Sequence, residues 1–136
     1  MKEIQINQAK YTVCDDTLLY PSGSTTIRNK IEIHMKVDGL EYSEFEKIFS
    51  NKENLRILYL REYGRKETDG KVDENAKLYE YPCENYTEIL SIGRKRIDSV
   101  DFMTGQVSSV EHYVVVLEQP LQVELLMEQM EQLNAK

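Results

Sequence analysis

The chain has 136 residues, 40% of them hydrophobic and 30% charged, and a formal net charge of −7. A chain of this size suits one domain that buries roughly 68% of its unfolded surface, and its longest apolar runs fall far short of the ~20 residues of a membrane helix. The acidic balance argues against a protein that grips nucleic acid through a concentrated basic face, though not against one that nucleic acid must slide past.

The opening, Met-Lys-Glu-Ile-Gln-Ile-Asn-Gln, holds no apolar stretch of signal-peptide length, so the protein is expected to be made and kept in the cytoplasm. Only two cysteines occur, Cys14 and Cys83, and they form no Cys-x-x-Cys pair. A disulfide framework and a zinc ribbon are therefore poorly supported, and two buried or half-buried thiols are expected.

In chain order, Ile4, Ile6, Tyr11 and Val13 suit one or two short strands before Asp15-Asp16 breaks the pattern. Leu18, Leu19 and Tyr20 lead into the turn formers Pro21-Ser22-Gly23-Ser24. The clearest signal follows. From Ile27 to Val37 the chain alternates, with Ile27, Asn29, Ile31, Ile33, Met35 and Val37 on one side and Arg28, Lys30, Glu32, His34 and Lys36 on the other. Successive side chains leave opposite faces of a sheet, so this is an extended strand with a core face and a polar face. Its length suits a barrel or a large twisted sheet, and Asp38-Gly39 ends it.

Ser43 stands three residues before Glu46, the spacing of a capping box, and Tyr42, Phe45, Ile48 and Phe49 form a short apolar stripe. The pattern predicts a helix of about two turns, stopped at Ser50-Asn51-Lys52. Leu55 to Tyr63 reads as a strand apolar on both faces, so either interior or facing another subunit. The segment Gly64 to Asn75 carries one apolar residue and reads as a long, flexible polar loop of the kind that is functional or orders against a partner. Strands resume at Lys77 to Tyr81, break at Pro82, and continue from Tyr86 to Ile92, with a bend or bulge at Gly93 before Arg94-Lys95-Arg96. Met103-Thr104-Gly105 is a turn, Glu111 to Glu118 a buried central strand, and 121–134 an amphipathic helix with Val123, Leu126, Met127, Met130 and Leu133 on one face. That face either packs on its own sheet or docks on a partner.

The expected fold is thus α+β, mainly antiparallel β: a β-sandwich or barrel with one short helix after the long strand and a C-terminal amphipathic helix. A single domain is expected over 1–136, with its core over about 3–118, the C-terminal helix over about 121–134 and the flexible polar loop over 64–75.

Chemistry-bearing motifs are scarce. His34 and His112 lie on different strands, and a metal site needs them adjacent with a third ligand, so they read as two unrelated strand histidines. No serine sits in Gly-x-Ser-x-Gly, and neither cysteine stands near a histidine. The stretch Asp69-Gly-Lys-Val-Asp-Glu-Asn lacks the EF-hand pattern, and no glycine-rich phosphate loop occurs. No catalytic, cofactor-binding or metal-ligating residues are therefore assigned, and no cofactor is expected. Arg94-Lys95-Arg96 is a dense basic cluster, either a solvated strand end paired with acids such as Asp98 or an intersubunit ion-pair site. Nine tyrosines with no tryptophan suit an interface more than an enzyme pocket.

The long alternating strand, the short helix at Ser43 to Ser50, the strand Leu55 to Tyr63, the polar loop Gly64 to Asn75 and the antiparallel strands to Leu117 together resemble the tail-tube and tail-terminator proteins of bacteriophages. The resemblance is one of element order over residues 25–118, without a diagnostic motif. It implies a non-enzymatic structural subunit of a phage or prophage tail, working by homo-oligomerisation into a ring or tube and partnering itself and other tail proteins. The acidic balance and the short apolar runs imply no sequence-specific nucleic-acid binding and no membrane binding, and a phage-derived chain has its place in the host cytoplasm and then in the virion. Candidate lumen or oligomer contacts are Arg28, Lys30, Glu32 and His34 on the polar strand face, Arg65, Lys66, Asp69 and Lys71 in the stacking loop, and Arg94, Lys95 and Arg96. The C-terminal helix departs from the tube pattern and suits an assembly or connector component. The alternatives are a small-molecule-binding β-barrel with an apolar ligand at its mouth and, behind it, a hydrolase with dispersed acids or histidines.

Overall fold

The computed structural model describes residues 1–21 and 28–134; the predicted strand start at Ile27 and the turn formers Ser22-Gly23-Ser24 lie outside them. In chain order the elements are β1 (Lys2–Ile6), β2 (Ala9–Val13), β3 (Leu18–Tyr20), β4 (Lys30–Lys36), α1 (Tyr42–Ile48), a 3-10 turn (Lys52–Leu55), β5 (Ile57–Thr68), β6 (Lys71–Glu84), β7 (Glu88–Val100), β8 (Val107–Glu118) and α2 (Gln122–Asn134). The fold is α+β. The strands form two antiparallel four-stranded sheets, ordered β2-β1-β5-β6 and β3-β4-β8-β7, which do not close into a barrel.

Strand β4 is shorter than the expected Ile27–Val37, since Arg28, Asn29 and Val37 lie outside it, but within it the alternation does what its period dictates. Ile31, Ile33 and Met35 are buried against Tyr113, Val115 and Leu117 of β8 on one side and against Ile4, Ile6, Leu58 and Leu60 of the other sheet. Helix α1 adds Phe45, which stacks on Tyr113 with ring centroids 5.1 Å apart, and Phe49 follows at the helix end, 5.3 Å from Phe45. The Tyr113 hydroxyl is not left bare in this apolar setting: it donates to the Leu40 carbonyl at 2.6 Å, the partner a buried phenol requires.

Several local expectations are corrected. The capping box at Ser43 does not form, because α1 starts earlier: Glu41 is its N-cap, without a side-chain bond. Its backbone carbonyl accepts from Glu44 and Phe45 N–H, and Tyr42 enters the helix, 5.7 Å from the Tyr113 ring. Leu55 lies in the 3-10 turn rather than in a strand, with Asn51 Oδ1 accepting from Glu53 N–H to start that turn. Pro82 does not interrupt β6; β6 is an edge strand, where a missing N–H is tolerated. Gly93 is passed without a break, and the register shift falls between Ile89 and Ser91.

The largest correction concerns 64–75. This segment is not a flexible loop but the distal half of a β-hairpin: β5 and β6 pair from Ile57↔Glu84 out to Thr68↔Lys71. The turn is Asp69-Gly70, with φ of 52° and 76°, the doubly left-handed geometry that Asp-Gly supplies for a two-residue hairpin turn. A second long hairpin, β7–β8, turns at Asp101–Gln106, where Asp101 N–H donates to the Gln106 carbonyl and the Asp101 carbonyl accepts from Gly105 N–H.

Both hairpins outrun their sheets. Strand β1 pairs with β5 only as far as Glu62, and β4 pairs with β8 only from His112 onward. Beyond those points each hairpin is a two-stranded ribbon, exposed along most of its length.

Candidate functional site

Sheet pairing brings together two histidines that the sequence held apart, on the face of the second sheet opposite the core. Lys36 of β4 lies across from His112 of β8, and His34 across from Val114. The two imidazoles are therefore diagonal neighbours, with Nδ1 atoms 3.1 Å apart and rings at 86°. Both are buried, 2% and 7% exposed. The reading of two unrelated strand histidines is thereby overturned.

Acidic groups flank the pair. Glu32 Oε2 lies 2.8 Å from His34 Nε2, so that nitrogen carries a proton and donates to the carboxylate. In the neutral ring the inward-facing Nδ1 of His34 is then an acceptor, and His112 Nδ1–H donates to it. Asp16 Oδ2 approaches His112 Nδ1 at 3.8 Å.

The turn that carries Asp16 is bolted to the His34 backbone. Cys14 N–H donates to the His34 carbonyl at 2.7 Å, Thr17 N–H to the Cys14 carbonyl at 3.0 Å, and His34 N–H to the buried Thr17 hydroxyl at 3.0 Å. Lys2 Nζ closes it from β1 by donating to the carbonyls of Asp15 and Thr17 at 2.9 and 2.8 Å.

Burial pushes the His112 pKa down, and His34 and Lys36 add to this while Asp16 opposes it. A histidine whose folded pKa lies below its unfolded value favours folding while neutral. Its contribution is complete above the unfolded value of about 6.5 and is lost as pH falls through that value toward the folded one. The expected result, with chelator present, is a drop in the urea midpoint between pH 7.5 and pH 5.5, and a shallower drop in His112→Gln. Equal slopes in the two proteins would show that His112 is not the group responsible.

The candidate contacts read from sequence occupy three separate regions. On β4 and just before it, Arg28 pairs with Glu124 of α2, Lys30 lies 4.0 Å from Glu118, and Glu32 holds His34. His34 is too deeply buried to meet a lumen and is withdrawn from that surface. Arg65, Lys66, Asp69 and Lys71 line the exposed end of the β5–β6 hairpin, with Arg65 3.8 Å from Glu74. On β7, Arg94 lies over the Tyr113 ring and 3.5 Å from Glu111, Lys95 is exposed across from His112, and Arg96 pairs with Asp98 at 3.2 Å.

Asp16 and His112 were missed. Alternation did place His34 beside Glu32 and Lys36, and His112 beside Val114, but no property of one sequence states which strands pair or in which register.

The other feature of this structure is uncovered apolar surface. At the β7–β8 turn Phe102 and Met103 are 96% and 94% exposed, flanked along the ribbon by exposed Val100, Val107 and Val110. On α2, Leu126, Met127, Met130 and Leu133 are exposed as well; these side chains do not pack on the chain's own sheets. The barrel-mouth alternative loses its barrel, since the space between the sheets is filled by the core. An open groove of about 530 Å³ does lie where Leu18, Leu19 and Pro21 approach Leu60, Arg61 and Tyr81.

The fold and these sites define an α+β protein of two packed antiparallel sheets with two projecting hairpins. Comparison goes no further: no family model, no curated protein and no solved structure matches the chain. Among the described residues, no helix is long and apolar enough to cross a membrane.

Proposed function

We propose that the protein is a non-enzymatic structural subunit that assembles with copies of itself, of the kind found in phage or prophage tails. The observation that carries this reading is the pair of hairpin ribbons that leave their sheets. A two-stranded ribbon alone in water is marginally stable at best, and three or more strands or a packed face are needed to hold it. Exposed Val100, Phe102, Met103, Val107 and Val110 therefore call for a covering surface. A second copy supplies one, since edge strands β6 and β7 present unpaired backbone and α2 presents an apolar stripe. Charge complementarity between α2 and β7 supports such a contact, either head-to-tail or about a two-fold axis. Helix α2 carries Glu124, Glu128 and Glu131 with no basic residue, whereas β7 carries Arg94, Lys95 and Arg96. A heterologous contact of that type closes into a ring or extends into a tube.

Light scattering across a concentration series, with electron microscopy of the largest species, tests this directly. Assemblies well above the 16.0 kDa of one chain are expected, and Phe102→Asp with Val110→Asp is expected to reduce them while leaving circular dichroism unchanged. A monomer at every concentration would overturn the reading.

A further inference from the structure

We infer that Asp16, His34 and His112 form a binding site for a divalent transition cation of the zinc class, with Glu32 as the group that orients one of its ligands. One carboxylate oxygen and two imidazole nitrogens are brought within 4.8 Å of one another here. Nitrogen and oxygen donors of this mixture are what zinc and its neighbours take, at bonds of about 2.0–2.2 Å.

The geometry of the histidine pair is the main argument. Two Nδ1 atoms 3.1 Å apart that both bind one cation at ~2.05 Å subtend an angle of about 100° at it, close to tetrahedral. At that spacing the cation sits about 1.3 Å to one side of the line between the two nitrogens, so both rings must turn to aim their lone pairs at it rather than at each other. For His34 the tautomer is already correct: Glu32 holds the proton on Nε2 and leaves the Nδ1 lone pair facing inward. A carboxylate behind a ligating imidazole is the usual outer partner in such sites. His112 must move its proton from Nδ1 to Nε2, which costs no net charge.

Asp16 completes the set from a turn fixed to both β1 and β4. Its carboxylate is exposed and has to close by about an ångström to reach bonding distance. Lys36 and Lys95, across from His112 on the same face, oppose a cation; Asp16 and Glu32 offset them. A bound cation would tie β4, β8 and the Cys14–Thr17 turn together, leaving a fourth position open to water. This inference does not rest on the assembly proposed above.

Calorimetric titration of the full chain with Zn2+, after chelator treatment, tests it, with Co2+ as the spectroscopic probe. One equivalent of Zn2+ is expected to bind and to raise the Tm. Affinity is expected to fall at least tenfold in His112→Gln and in Asp16→Asn, and about 10–100-fold in Glu32→Gln. Because Asp16 is exposed, Asp16→Asn is expected to keep the native circular dichroism even where a histidine variant does not. No binding, binding of equal strength in the variants, or an intense thiolate-to-cobalt band that places the cation on Cys14 or Cys83 would each overturn the assignment. In those cases the two histidines are simply a hydrogen-bonded buried pair.

Discussion

Ile33→Asp is expected to leave little or no folded protein. Ile33 is fully buried in the middle of β4, across from Val115. The change forfeits about 1.5–3 kcal/mol of side-chain burial. It also strands a carboxylate in an apolar core, where neutralising it at pH 7 against a pKa of about 3.9 costs about 4 kcal/mol more. The total is comparable to the 5–15 kcal/mol that holds a typical domain together. Three residues earlier, Lys30→Asp is expected to cost about 1 kcal/mol, the loss of an exposed ion pair plus a like-charge contact across the strands, because Lys30 is half-exposed and its pair with Glu118 is loose at 4.0 Å. Soluble yield and far-ultraviolet circular dichroism separate the two. Equal damage from both would mean that the faces of β4 are wrongly assigned.

Phe45→Ala is the second large effect, expected at about 3–5 kcal/mol in urea denaturation. Phe45 is fully buried, stacked on Tyr113 and in edge-to-face contact with Phe49, so its removal takes away both apolar area and ring contacts and opens a cavity under α1. Phe102→Ala, the same chemical change at a 96% exposed position, is expected to stay within about 0.5 kcal/mol. A loss below 1 kcal/mol for Phe45→Ala would show that α1 is not anchored to the second sheet through this residue.

The contrast between these two phenylalanines shows where sequence reading succeeds. Phe45 stands in a helical stripe with Tyr42, Ile48 and Phe49, and a stripe implies a covered face. Phe102 stands in a turn with no periodicity to say whether anything covers it. The same logic explains the misread segment at 64–75. Alternation is legible only when one face is buried, and a ribbon wet on both faces has no reason to alternate. Polar composition therefore looked like a loop, although Asp69-Gly70 carried the turn signal. At Ser43 the local capping pattern is present and goes unused: α1 starts at Tyr42 with Glu41 as its N-cap, and Tyr42 lies 5.7 Å from the Tyr113 ring.

What the sequence determined by itself was a core strand at β4, though shorter than its alternation suggested, two helices, a mostly antiparallel α+β fold, and the core positions Ile31, Ile33 and Met35. Period and turn chemistry are local, so they survive in one dimension. Strand order and register are not local. Only the tertiary structure placed β8 beside β4, carried the Cys14–Thr17 turn over the His34 backbone, and so gathered Asp16, Glu32, His34 and His112 on one face. It alone left the hairpin ribbons and the α2 stripe uncovered, because which apolar surface stays bare is decided only after every element has found its neighbours.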